Sequence, residues 1–95
     1  MSTLSYELIE KEKIEDLKFP SGDVLDSKMD IADRKNELER ALKLGNMEQH
    51  KIKIFFEDDN SLKMVETTVW GVTDKRVILK QGIVIPIHRV HTVKV

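Results

Sequence analysis

Apolar and polar residues largely alternate with period two over residues 51–95, whereas the preceding stretch follows a looser, acid-rich helical rhythm that ends at Leu44-Gly45-Asn46. Side chains alternate faces along a strand and recur every three to four positions along a helix, so this change predicts a helix followed by a β-rich unit. Ser27 with Asp30 three residues later forms a capping box, with Asp30 and Asp33 an alternative start, and acids there suit the positive end of the helix dipole. Arg40 and Lys43 fall in the expected last turn, and Gly45-Asn46 reads as the C-cap. Ile31, Leu38, Ala41 and Leu42 form the apolar stripe, with Arg34 and Lys35 interrupting it. So narrow a stripe places the helix across a sheet or over one mouth of a barrel.

Five strand candidates follow. Residues 50–56 put Ile52, Ile54 and Phe56 on one face and Lys51, Lys53 and Phe55 on the other, the pattern of a half-buried strand. Glu57-Asp58-Asp59-Asn60 is a turn. Residues 62–72 make a strand too long to stay flat, with a bulge or bend at Gly71 after Trp70. Thr73-Asp74-Lys75 turns the chain, with Asp74 supplying the turn chemistry, into residues 76–80, where Val77 and Leu79 face inward. Gln81-Gly82 forms a tight hairpin to residues 83–87, and Pro86 confines that strand to an edge or a break. Residues 88–95 close the chain, with Val93 and Val95 on one side and Thr92 and Lys94 on the other.

Upstream, Leu4, Leu8, Ile9, Ile14 and Leu17 share a helical stripe only loosely, so residues 1–20 read as a frayed helix, a short strand at residues 6–9, or a tail. Pro20 ends any helix there, and Phe19-Pro20-Ser21-Gly22-Asp23 carries turn chemistry. The expected organisation is an arm over residues 1–26 and one domain over residues 27–95. The expected fold class is mainly β (α+β): an N-terminal helix and a five-stranded, strongly bent antiparallel sheet or small barrel.

Composition narrows the function classes. At 95 residues the chain fits one domain, and its 35% charged residues exceed the usual one quarter or so. Residues 1–45 hold eleven acidic and eight basic side chains, and residues 46–95 hold six and eight, with His50, His88 and His91 all in the second part. A net charge of −1 argues against coating nucleic acid by bulk charge, while the asymmetry allows a local basic surface. Without cysteine there is no disulfide framework, thiolate metal site or cysteine nucleophile. The first 15 residues lack the apolar centre of a signal peptide, and no run approaches the roughly 20 apolar residues of a membrane span. The expected location is cytoplasmic.

A helix followed by such strands resembles the Sm-like and SH3-like small barrels, and the small bacterial Rho-inhibitor (Rof-type) regulators that share their fold. The resemblance covers residues 28–95. It is carried by element order, by residues 51–56, by Glu57-Asp58-Asp59-Asn60, and by the closing Ile85-Pro86-Ile87-His88-Arg89-Val90. It implies a small barrel and a binding or regulatory role, but transfers no ligand residue. Asp58-Asp59-Asn60 is the nearest match to the Asp-x-x-Asn element of the Sm-like uridine pocket, and Arg89 precedes Val90 where that pattern has glycine.

The outward strand positions collect Lys51, Lys53 and Phe55, then Arg76 and Lys80, then Lys94. On neighbouring strands these would offer cations to phosphates and a ring to a base, making RNA the first expected partner. An ordinary solvated face, with lysines that discourage edge pairing, accounts for the same residues. Ile83, Val84 and Ile85 are apolar on both faces, which suggests a protein interface or homo-oligomer using this strand and the acidic arm; cover by the chain's own helix stripe is the alternative.

Catalysis has weak candidates. Glu66 among Thr67, Thr68 and Trp70 would be a candidate acid or base if partly buried, and an outward glutamate otherwise. There is no glycine-rich phosphate loop, serine elbow or triad. His88 and His91, three apart on a strand, point to opposite faces and so read as structural, and Glu57-Asp58-Asp59-Asn60 lacks calcium-loop spacing. The expectation is a non-catalytic module with no cofactor and no metal.

Overall fold

The alternation of residues 52–57 becomes a strand with Ile52, Ile54 and Phe56 buried and Lys53 exposed, and the rest of the domain is assembled around it. A computed structural model describes residues 6–48 and 50–94. In chain order the elements are β1 (Glu7–Leu8), a 3-10 helix (Lys11–Asp16), α1 (Lys28–Glu48), β2 (Ile52–Glu57), β3 (Leu62–Thr67), β4 (Val69–Val72) and β5 (Arg76–Leu79). A 3-10 turn (Lys80–Gly82), β6 (Val84–Pro86), another 3-10 turn (Ile87–Arg89) and β7 (Val90–Lys94) complete the domain. Leu4 and Val95, placed in apolar sets above, lie outside the described residues.

The fold is α+β, and all five strand candidates form, but not as one five-stranded antiparallel sheet or closed barrel. Among the described residues seven strands make two sheets, ordered β1-β3-β2-β7 and β4-β5-β6, and the sheets do not close. The long candidate divides because Thr67, Thr68 and Val69 are buried in succession, which breaks the alternation and carries the chain from one sheet to the other. The expected bulge is present: pairing with β5 skips from Val69–Leu79 to Gly71–Ile78, leaving Trp70 outside the ladder. Arg76-to-Leu79 pairing with β6 ends at Pro86, the edge position expected for a residue without a backbone donor.

The helix is not the first element. β1 runs parallel to β3, in register Glu7–Lys63 and Leu8–Met64, and so corrects the all-antiparallel expectation. Of the readings open for the first 20 residues, the short strand is realised, and Ile14 of the following 3-10 helix joins the core. The Phe19 and Phe56 rings lie 6.1 Å apart. Backbone N–H groups of Ile9, Val24 and Asp59 donate to the carbonyls of Met64, His88 and Lys18, lacing this segment onto the domain.

α1 packs against β4 and β7, one edge strand from each sheet. Ser27 Oγ caps the Asp30 N–H as expected, but the helix continues past Leu44 to Glu48. Gly45 is not a cap: it is buried against the Val69 carbonyl and the Thr68 methyl, where a side chain would collide. The inward stripe also differs. Leu38 and Ala41 are buried, Ile31 is exposed, and Arg34, expected as an interruption, is 3% exposed. Arg34 is tolerated there because its guanidinium forms a bidentate pair with Asp23 (2.9 Å to each oxygen) and donates to the Val90 carbonyl. In the Thr73–Arg76 turn the acceptor is Thr73 Oγ1, which takes the N–H of Lys75 and Arg76, not the Asp74 side chain. The β5–β6 connection is one residue longer than the expected Gln81-Gly82 hairpin: Lys80, Gln81 and Gly82 lie between Leu79 and Ile83, whose N–H and carbonyl close the loop, with Gln81 and Gly82 in the left-handed region at φ of 69° and 81°.

Candidate nucleic-acid interface

Position parity on β2 and β3 decides what the outer face of the larger sheet presents. Lys53 lies between Glu66 of β3 and Lys94 of β7, and Phe55 lies between Met64 and Thr92. All are outward or partly outward, because the inward set is taken by Ile52, Ile54, Phe56, Val65 and Val93. The Phe55 ring is met edge-on by Tyr6, with centroids 4.5 Å apart.

Beyond Lys53 the face opens into a groove of about 620 Å³, within the range that holds a nucleotide-sized ligand. Its lining includes Lys51, Thr68, Trp70 and Lys80, with Gly45 and Asn46 at one side. The bulge directs Trp70 away from the core, and 53% of its surface is exposed. Lys80 is fixed at the groove because its backbone N–H donates to the Thr68 carbonyl at 3.0 Å. Lys51 follows the C-terminal end of α1, where a cation is favoured by the dipole. Lys51, Lys53, Lys80 and Lys94 enter no ion pair among the described residues.

The structure therefore brings Lys51 and Lys80 together and sets Lys53 and Phe55 on the adjoining sheet face. Arg76 lies elsewhere, on a hollow shared with Asp23, Asp74 and His88. The sequence alone marks Trp70 as the residue before a bend and not as a contact residue. Its signal was available in the Trp-Gly pair on an outward parity, since a bulge turns the side chain beside it.

The opposite end of the larger sheet is a closed polar network. Asp58, in the turn after β2, accepts from the N–H groups of Asn60 and Ser61 and from Lys63 Nζ at 3.1 Å. Burial works against its charge, but the Ser61 and Asn60 N–H groups and Lys63 outweigh it and hold the carboxyl below its ordinary range. Arg89 donates to the carbonyls of Glu57, Gly22 and Asp58, tying the β2–β3 turn to the chain ahead of α1. The bidentate bond from Arg34 likewise lowers Asp23.

The histidines find separate acceptors. His88 Nε2 donates to the Pro20 carbonyl (2.8 Å), and Glu57 Oε1 accepts from His91 Nε2 (3.0 Å). Among the described residues no three His, Asp or Glu side chains converge on a metal-sized site. Glu66 is exposed and cross-strand from Lys53, so the partly buried acid or base is not realised. Of the three residues read as a protein interface, Ile83 and Ile85 are buried in the core, while Val84 is 37% exposed on an edge strand and not covered by the helix stripe. No helix of the described residues is long and apolar enough to cross a membrane.

Comparison with protein-family models, with curated proteins and with solved structures finds no match to this chain. The likeness to Sm-like and Rof-type barrels thus rests on the order of a helix and strands.

Proposed function

We propose that this protein is a non-catalytic binding module for single-stranded nucleic acid, RNA first, with the groove between Lys51, Lys80 and Trp70 as its contact site. One observation carries the reading: an exposed indole flanked in one groove by two lysines that enter no ion pair among the described residues. An aromatic face stacks a base of any sequence, and nearby ammonium groups take the phosphates on either side of it. Lys53 and Lys94 extend the positive surface along the sheet, against the single acid Glu66 in that row.

The test is fluorescence anisotropy of a labelled single-stranded RNA titrated with the protein at about 50 and 200 mM salt. Binding should weaken with salt at a log–log slope of about −2 to −3, the value for three or four phosphate contacts at roughly −0.7 each. Trp70→Ala and the pair Lys51→Glu, Lys80→Glu should each reduce affinity at least tenfold. Absence of binding at high protein concentration, or salt-dependent binding indifferent to both variants, would overturn the reading.

A second reading, self-association through β6, is favoured by the exposure of Val84 on an edge strand. Sedimentation would then show a dimer or larger species that Val84→Glu returns to monomer.

A further inference from the structure

Trp70 stands on β4 of the smaller sheet, in the groove that it shares with Lys51 just ahead of β2, and a second aromatic surface stands on the outer face of the larger sheet. Tyr6 packs edge-on against Phe55, both rings remain partly exposed, and Met64 lies beside Phe55 in register. Met64 and Trp70 are six residues apart on the successive strands β3 and β4, so their backbones are separated by at most about 20 Å. Lys53 occupies the row next to Phe55, with Lys94 opposite it, and Lys51 with Lys80 occupies the groove at Trp70. From the face of the larger sheet into the groove the order is aromatic, cationic, cationic, aromatic.

From this order we infer that a single strand of about four nucleotides lies lengthwise over β2, one terminal base on Trp70 and the other on the Phe55–Tyr6 pair, its internal phosphates over Lys51, Lys53 and Lys94. A site of this length is at the short end for small β domains that bind single strands. The inference rests on the groove reading above and adds the direction and length of the track. Charge decides the occupant: four lysines without an ion pair among the described residues face Glu66 and, at the β7 margin beside Thr92 and Lys94, Glu37, so the face keeps an excess of positive charge and is complementary to a polyanion.

Trp70 is the chain's single tryptophan, so quenching of its emission reports the groove directly. The experiment titrates the protein with oligouridylates of two, four and eight nucleotides, in the wild type and in Phe55→Leu, which keeps an apolar side chain and removes the ring. A thermal melt accompanies each variant. The wild type should bind the four-mer about tenfold more tightly than the two-mer, with little further gain per site at eight. Phe55→Leu should abolish that gain and leave two-mer quenching unchanged. Quenching with no gain beyond the two-mer, or a gain that survives Phe55→Leu, overturns the track while the groove reading stands. No quenching at any length, or a mixture in which protein self-association alone changes the emission, overturns both.

Discussion

The two ends of the run from Leu62 through Val72, β3 and then β4, treat the lysines around them in opposite ways. At the start, Lys63 is 4% exposed and held by Asp58 and Ser61; at the far end, Lys80 and Lys51 stand beside an exposed indole without an ion pair among the described residues. A buried charge is stable only when its partners are built in, so the first end has no bonding capacity left for a ligand. The far end leaves its charges to water, at small cost, and keeps them free for an outside partner. Charge count alone does not distinguish a structural lysine from a binding one; burial and pairing do.

Breaking the closed end should give the largest effect on stability. Asp58→Ala leaves the buried Lys63 ammonium with only Ser61 Oγ and the exposed Glu7 carboxylate at 3.6 Å, and removes the acceptor of two turn N–H groups, so chemical denaturation should show a loss of about 3–5 kcal/mol. Gly45→Ala, between the two ends, should cost about 1–3 kcal/mol even though alanine is the better helix former, because the added methyl meets the Val69 carbonyl. A stabilised Gly45→Ala variant would show that α1 can move off β4.

Acid should weaken the closed end before it changes the groove. Asp23 and Asp58 have folded-state values below the ordinary carboxylate pKa of about 3.9, so between the lowered and ordinary values the unfolded chain binds more protons. Their contribution is therefore complete above the ordinary value and is lost as pH falls through the folded ones. Denaturation midpoints should fall below about pH 4, and Asp58→Asn should flatten that dependence. The smallest stability effects belong to the groove: Trp70→Ala and Lys80→Glu should change unfolding free energy by no more than about 0.5–1 kcal/mol while removing most RNA binding. A large stability loss for Lys80→Glu would place it with Lys63.

Where local chemistry settles structure, the sequence was legible. Alternation gave the strands and the inward set of Ile52, Ile54, Phe56, Val77 and Leu79, and Pro86 marked the sheet edge. What depended on remote partners was not. Gly45-Asn46 has the composition of a helix cap, and only contact with Val69, 24 residues on, shows the glycine as a close-approach position. Arg34 looks like an interruption until Asp23 and the Val90 carbonyl are brought to it. The candidate site divided in the same manner: Lys51 and Lys80 meet because the Thr68 carbonyl holds the backbone of Lys80, whereas Arg76 shares their parity but not their neighbourhood.

The bend at Thr68 also sets how the molecule comes apart. One uninterrupted run of backbone supplies a strand to each sheet, so neither sheet has a boundary at which it can open alone. Slow amide exchange in β2 and β5 should accordingly report one common opening free energy, that of global unfolding, while the two-residue β1 exchanges by fraying from the edge. Grafting the Trp70 groove into another protein would therefore mean transplanting both sheets together, since the hinge that shapes the groove is also what makes them one cooperative unit.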